Sequence, residues 1–263
     1  MSATPIMTNG ACDLQAPKRN HYFHGKLLDV YHFELETAYL NFKRRMLNRL
    51  VTGYGVVCGL NVKAHARCED AITVCPGFAI DRAGNEIFVP EEVGPLRIEP
   101  HMLPAPPSDG DENAHEGEAH VHVVLCYHEC LAEPMPVHAG DCCAQDPCQP
   151  GVIREQYKIE FRPGYLPAGC GLRIEDVIKE CPPDYESLHA ALARIVSDHC
   201  ECCPEDACIP LANICVHMDD DQGRRCRCGH IDITVRPIVY NNDLLFQLLL
   251  SMLYEEERPY RQK

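Results

Sequence analysis

Apolar side chains recur at Tyr31, Leu35, Ala38, Phe42, Met46 and Leu50, three or four residues apart. That is the spacing of a helix with one buried face. Asp29 stands just ahead as a good N-cap. Acids come early (Glu34, Glu36) and bases late (Lys43, Arg44, Arg45, Arg49), as the helix dipole favours. Thr52-Gly53-Tyr54-Gly55 ends the helix, because glycine supplies C-cap backbone angles cheaply. The pattern then shortens. Residues 56–63, 71–74, 78–81 and 86–89 read as short strands, with turns at Pro76-Gly77 and Arg82-Ala83-Gly84-Asn85, and Pro90 closes the meander.

From about His101 to Ala119 proline and then acids dominate, the composition of a linker without a core. Alternation resumes at Val121, Val123 and Leu125, against His120, His122, Val124 and Cys126, predicting a strand with one apolar and one mixed face. Residues 152–161 predict another strand. Residues 184–197 predict a helix with Leu188, Leu192 and Ile195 inward. Residues 210–217 and 231–235 read as a hairpin pair. Asn242 is the expected cap of a last helix, LLFQLLLSMLY, apolar almost all round and so requiring cover on several sides.

The fold expected is α+β and mainly β: a β-sandwich or barrel-like domain, preceded by one amphipathic helix and closed by an apolar C-terminal helix. The divisions are an N-terminal arm (1–28), an anchoring helix (29–52), a first β-region (53–100), a Pro/acidic linker (101–119), a Cys-rich second β-region (120–240) and a C-terminal helix and tail (241–263).

A resemblance follows from particular words. YFHGKLL at 22–28, HFELETAY at 32–39, RRMLNRL at 44–50 and GYGVVCGL at 53–60 are similar to a bacterial family associated with gene clusters for phage-tail-like contractile injection systems. The similarity continues through ITVCPGFAIDRAGNEIFVP at 72–90 and more loosely through LCYHECLAEPMPV at 125–137. It fades in the cysteine-rich regions and returns at PLANICV and NNDLLF. The β-rich part also resembles head-proximal domains of phage tail fibres. The resemblance implies a structural role: a baseplate, fibre-attachment or surface-decorating protein whose partners are other particle subunits and further copies of itself. It supplies no catalytic residues to carry over.

Composition narrows the classes. A net charge of -15 over 263 residues excludes a nucleic-acid surface built on clustered Lys and Arg. No apolar run reaches the length of a membrane span, and the start lacks the pattern of a secretory signal. The expectation is folding and assembly in the cytoplasm, with possible release in an extracellular particle.

Eighteen cysteines are far more than a reducing compartment usually calls for. They fall in three groups: Cys126, Cys130, Cys142, Cys143 and Cys148; Cys200, Cys202, Cys203 and Cys208; and Cys226 and Cys228 with His230. Zinc takes four thiolate or imidazole ligands, so the candidate metal ligands are Cys130, Cys142, Cys143, Cys148, Cys200, Cys202, Cys203, Cys208, Cys226, Cys228 and His230. None has the clean, paired C-x-x-C spacing that marks a strong zinc site. The second and third groups lie at opposite ends of a strand spanning roughly 20 Å, which argues against one shared ion. Disulfides and free thiols are the alternatives. Cys58, Cys75 and Cys215, in apolar strand contexts, read as small buried hydrophobes. His120, His122, Cys126 and His128 share one strand parity, read first as a polar face and otherwise as a metal stripe.

Enzyme motifs are missing: no H-E-x-x-H, no G-x-S-x-G and no phosphate-binding glycine loop. His32-Phe33-Glu34 has the H-x-E form of zinc deaminases, yet it lies in the first helix without its P-C-x-x-C partner. The acids at 109–118 and 219–221 read as solvated loops. The expected function is therefore a non-enzymatic structural component. A cysteine-rich metal-binding module is the alternative, and a hydrolase with a cryptic Cys/His site the second.

Overall fold

The computed structural model describes residues 16–103, 118–136, 148–167, 189–190, 193, 197, 204–218 and 226–256. Most of the predicted 184–197 helix lies outside the described residues.

Helix α1 spans Val30–Leu47, and its start is fixed as the sequence implies. The Asp29 carboxylate accepts from the His32 N–H at 3.2 Å, and the His32 ring returns to the Asp29 N–H at 3.4 Å. His32 is thus a capping residue, which accounts for the H-x-E triplet. One π-helical turn, Asn48–Thr52, follows before the chain turns at Gly53. The half-shielded side of α1 holds Leu35, Phe42 and Met46, as expected, together with Tyr39, but Tyr31, Ala38 and Leu50 are exposed. Leu50 falls in the π turn, where the helical phase is lost.

Six short strands come next: β1 (Gly55–Gly59), β2 (Val62–Ala64), β3 (Ala71–Val74), β4 (Gly77–Ile80), β5 (Glu86–Val89) and β6 (Val93–Arg97). They form two three-stranded sheets, ordered β1-β4-β5 and β2-β3-β6. Each consecutive length of chain therefore bends and contributes one strand to each sheet. The run expected at 56–63 breaks where Gly59 and Leu60 take positive φ, 68° and 54°. The meander also continues past Pro90, its expected end, because β6 pairs antiparallel with β3.

The third sheet is ordered β10-β9-β7-β8, from β7 (Glu118–Pro136), β8 (Cys148–Pro163), β9 (Ile209–Met218) and β10 (Cys226–Asp232). Strand β7 is longer than its alternating part predicts. It pairs with β9 only as far as Leu125 but with β8 out to Pro136. Both its faces are buried over 121–126, and on the mixed face His122 is covered by the following chain, bonding to the Gly164 carbonyl. Asn213 holds that cover, donating to the Leu166 carbonyl at 2.8 Å and accepting from its N–H at 3.0 Å. Its burial without cost follows, because both ends of the amide are satisfied.

One contiguous core joins the two β-regions: Leu60, Ile72, Val74 and Ile87 pack in the same cluster as Val121, Leu125, Leu211 and Ile214. The sheets do not close into a barrel. After β10 the chain returns beside β1, where Val56 bridges Ile238 in parallel. Helix α2 (Asn242–Glu256) begins there. Its cap is Asn241, one residue before the expected Asn242: the Asn241 Oδ1 accepts from Leu244 N–H at 2.8 Å. No helix among the described residues is long and apolar enough to cross a membrane.

Candidate assembly surfaces and the cysteine sites

The last turns of α1 sit on the β4–β5 turn. Asp81, almost wholly buried, organises that turn by accepting from Ala83 N–H, Asn85 N–H and the Asn85 amide at 2.8–2.9 Å. Burial pushes its carboxyl up, and these donors oppose the rise. Gly84, with φ +87°, then lies directly beneath the Arg45 carbonyl. Asn48 donates to both the Gly84 carbonyl and the Glu86 carboxylate at 3.0 Å. Arg44 reaches Glu86 (3.6 Å) and Glu155 (3.9 Å), while Arg45 reaches Glu129 (3.3 Å) and lies over the Tyr127 ring (5.8 Å). Burial and then the neighbouring Glu129 hold the Tyr127 hydroxyl well above its ordinary range, so it stays a donor to Glu129. Arg44 and Arg45, two members of the basic cluster, thus link the helix to Glu86 of β5, Glu129 of β7 and Glu155 of β8.

A stripe of apolar side chains on α1 is left bare. Val30, Phe33, Leu40 and Leu47 are each more than half exposed. The apolar side chains of α2 at Leu245, Phe246, Leu248 and Leu249 are exposed as well, so among the described residues these four lack the cover expected for this helix.

Beyond Cys126 the β7–β8 pair continues alone as a two-stranded ribbon. Leu131 and Ile153, directly opposed across it, are 69% and 60% exposed. Pro134, Pro136 and Pro150 lie in its outer part, where a missing N–H weakens edge pairing with a stray strand.

The cysteines divide clearly. Cys208 is disulfide-bonded to Cys126 across the β7–β9 boundary, so at this position the disulfide alternative is the one present. Cys126 and Cys130 lie within β7, and Cys148 opens β8, so three members of the first cysteine group are strand residues. Cys226 and Cys228 alternate along β10 and face the core edge, with Cys226 donating to the Ile98 carbonyl at 3.0 Å. Burial, reinforced by Cys215 and Cys226, pushes the Cys228 thiol up to about 11. His230 is exposed in the bulge where β10 slips against β9. Cys142, Cys143, Cys200, Cys202 and Cys203 lie outside the described residues. Among the described residues no three His, Cys, Asp or Glu side chains converge as a metal set. The strand stripe divides too: His122 bonds the Gly164 carbonyl at 3.0 Å, His120 stacks edge-on with Tyr165, and Cys126 is bridged.

Arg162 was not singled out by sequence. Its guanidinium is held by the Asp206 carboxylate and lies 3.3 Å from the Cys208 sulfur. The paired guanidinium holds the Asp206 carboxyl below its usual range. The one legible signal was Asp206 two residues before Cys208, the spacing at which its carboxylate caps the Cys208 N–H (3.1 Å).

No family model matches the chain, and no curated protein matches it.

Proposed function

We propose that this chain is a structural subunit of a phage-tail-like particle, a baseplate, fibre-attachment or surface-decorating protein without catalytic turnover of its own. The observation that carries the reading is a contiguous β-core among the described residues combined with large apolar side chains left in water on α1, on α2 and on the β7–β8 ribbon. Exposed apolar surface of that extent marks a protein that works against partners. The motif resemblance at 22–60 and 72–90 supplies the kind of assembly. The sandwich-like layering of short strands suits a projecting or packed module. The cysteines act as staples, with the Cys126–Cys208 bridge as the example in view.

Tagging the chain in its native cells and fractionating the lysate by density tests this. Comigration with sheath and tube proteins, with labelled particles in electron micrographs, is expected. Recovery only as free protein, with intact particles forming in a deletion strain, overturns it. Sheath, tube and baseplate genes should flank its own.

A further inference from the structure

The bare stripe of α1 carries a strict repeat. Val30, Phe33, Thr37, Leu40, Arg44 and Leu47 follow one another by three, four, three, four and three residues. That is the a/d spacing of a coiled-coil seam, distinct from the half-shielded stripe at Leu35, Tyr39, Phe42 and Met46. All six are exposed, and of them Arg44 also reaches the chain's own β-body, at Glu86 and Glu155. Seam spacing specifies a helix as the covering element, and the charges beside it specify which helix and which way it runs.

We infer that this seam pairs with α1 of a second copy, antiparallel. In that register Val30 meets Leu47, Phe33 meets Arg44, and Thr37 meets Leu40 of the other chain. Flanking the seam, Glu36 of each copy faces Lys43 of the other, giving two opposite-charge pairs by symmetry. Among the described residues Lys43 forms no ion pair within its own chain, and Glu36 accepts only from the Tyr22 hydroxyl. The parallel alternative stacks Arg44 on Arg44 and brings Asp29 against Glu34, like charges in both places. Antiparallel pairing also sets the acidic first half of one helix, with its positive dipole end, beside the basic second half of the other. The pairing needs only the isolated protein, so it stands or falls separately from the particle reading.

Analytical ultracentrifugation of the full chain, at about 1 to 100 µM because dimer population follows mass action, provides the test. The wild type is expected to dimerise, and Leu40→Glu to sediment as a monomer with its β-sheet circular dichroism unchanged. Glu36→Lys and Lys43→Glu should each dimerise about tenfold more weakly, since each replaces two attractive pairs by two repulsive ones. Mixed in equal amounts, these two variants should form a heterodimer as tight as the wild type. Only the antiparallel register restores both pairs in that mixture. A wild type monomeric throughout the range, a dimer indifferent to Leu40→Glu, or a mixture no tighter than its components each overturns the inference.

Discussion

A Cβ placed on Gly84 would stand 2.1 Å from the carbonyl oxygen of Arg45. The helix and the β4–β5 turn therefore touch backbone to backbone, and φ at Gly84 is +87°. Gly84→Ala should cost at least about 1–2 kcal/mol from the backbone conformation alone. It should also lift the end of α1 from the turn. Amide exchange at Asn48 to Val51 is expected to accelerate while β9, deep in the core, stays protected. Unchanged exchange in that segment would show that the seat is not where α1 is held.

Arg45→Ala is the comparison. Its ion pair with Glu129 is partly solvated, with the Arg45 side chain 27% exposed, so little is expected of it. The ring contact with Tyr127 adds a similar small amount. Loss of roughly 1 kcal/mol or less in urea unfolding is the expected result, below that of Gly84→Ala. The reverse order would make the side-chain contacts, rather than the backbone seat, the anchor of the helix.

Much of this junction was legible. Asp29, the apolar spacing and Gly53 delimit α1, and turn residues delimit β3 and β5 to the residue. The seat at Gly84 was not, because a turn glycine reads the same whether it meets solvent or a helix end. Nor was the division of the first β-region into two sheets visible. It depends on bends at Gly59-Leu60 and at Cys75-Pro76 that only tertiary packing selects. Strand β6 was hidden by Pro90 and Pro95, residues that normally end a strand but are tolerated at an edge. The cysteine groups were chosen by sequence proximity. The pairing of Cys126 with Cys208 spans 82 residues and is set by the β7–β9 register, which no local pattern encodes.

That bridge yields its own prediction. Non-reducing peptide mapping should recover a Cys126–Cys208 crosslink from protein handled under air. Replacing both residues by alanine should lower stability in oxidising buffer by roughly 2–4 kcal/mol, since the bridge closes a long loop in the unfolded chain. Recovery of Cys126 and Cys208 as two alkylated peptides from folded protein would contradict the pairing.

The thiols differ in expected reactivity. Cys228, pushed up to about 11 by burial and by Cys215 and Cys226, would be thiolate in about one molecule in a thousand at pH 8. Exposed Cys58 and Cys148 should alkylate first, with Cys228 labelled only on unfolding. The same shift sets a pH dependence. The folded state binds the Cys228 proton more tightly than the unfolded state does. Its contribution to stability is therefore complete below the unfolded thiol value near 8.5 and declines as pH rises toward about 11. Replacing Cys228 by alanine should flatten stability across that alkaline window, and an unchanged slope would assign the decline to another group.

If the proposed assembly holds, Leu131 and Ile153 should separate assembly from folding. They face each other on the outer ribbon, remote from the core cluster, and both remain more than half exposed. Replacing such residues removes little buried area, so Leu131→Glu with Ile153→Lys should change unfolding free energy by no more than about 0.5 kcal/mol. The cross-strand Glu–Lys pair even keeps a favourable contact on the ribbon. A side chain whose exposure is offset by a partner behaves differently in the assembled state, where the charged pair would have to be desolvated. The double variant should therefore fold normally and fall out of the density-gradient fraction that retains the wild type. Normal incorporation would remove the ribbon from the contact surface and leave α1 and α2 to make it. A large loss of stability would mean instead that the pair supports the fold.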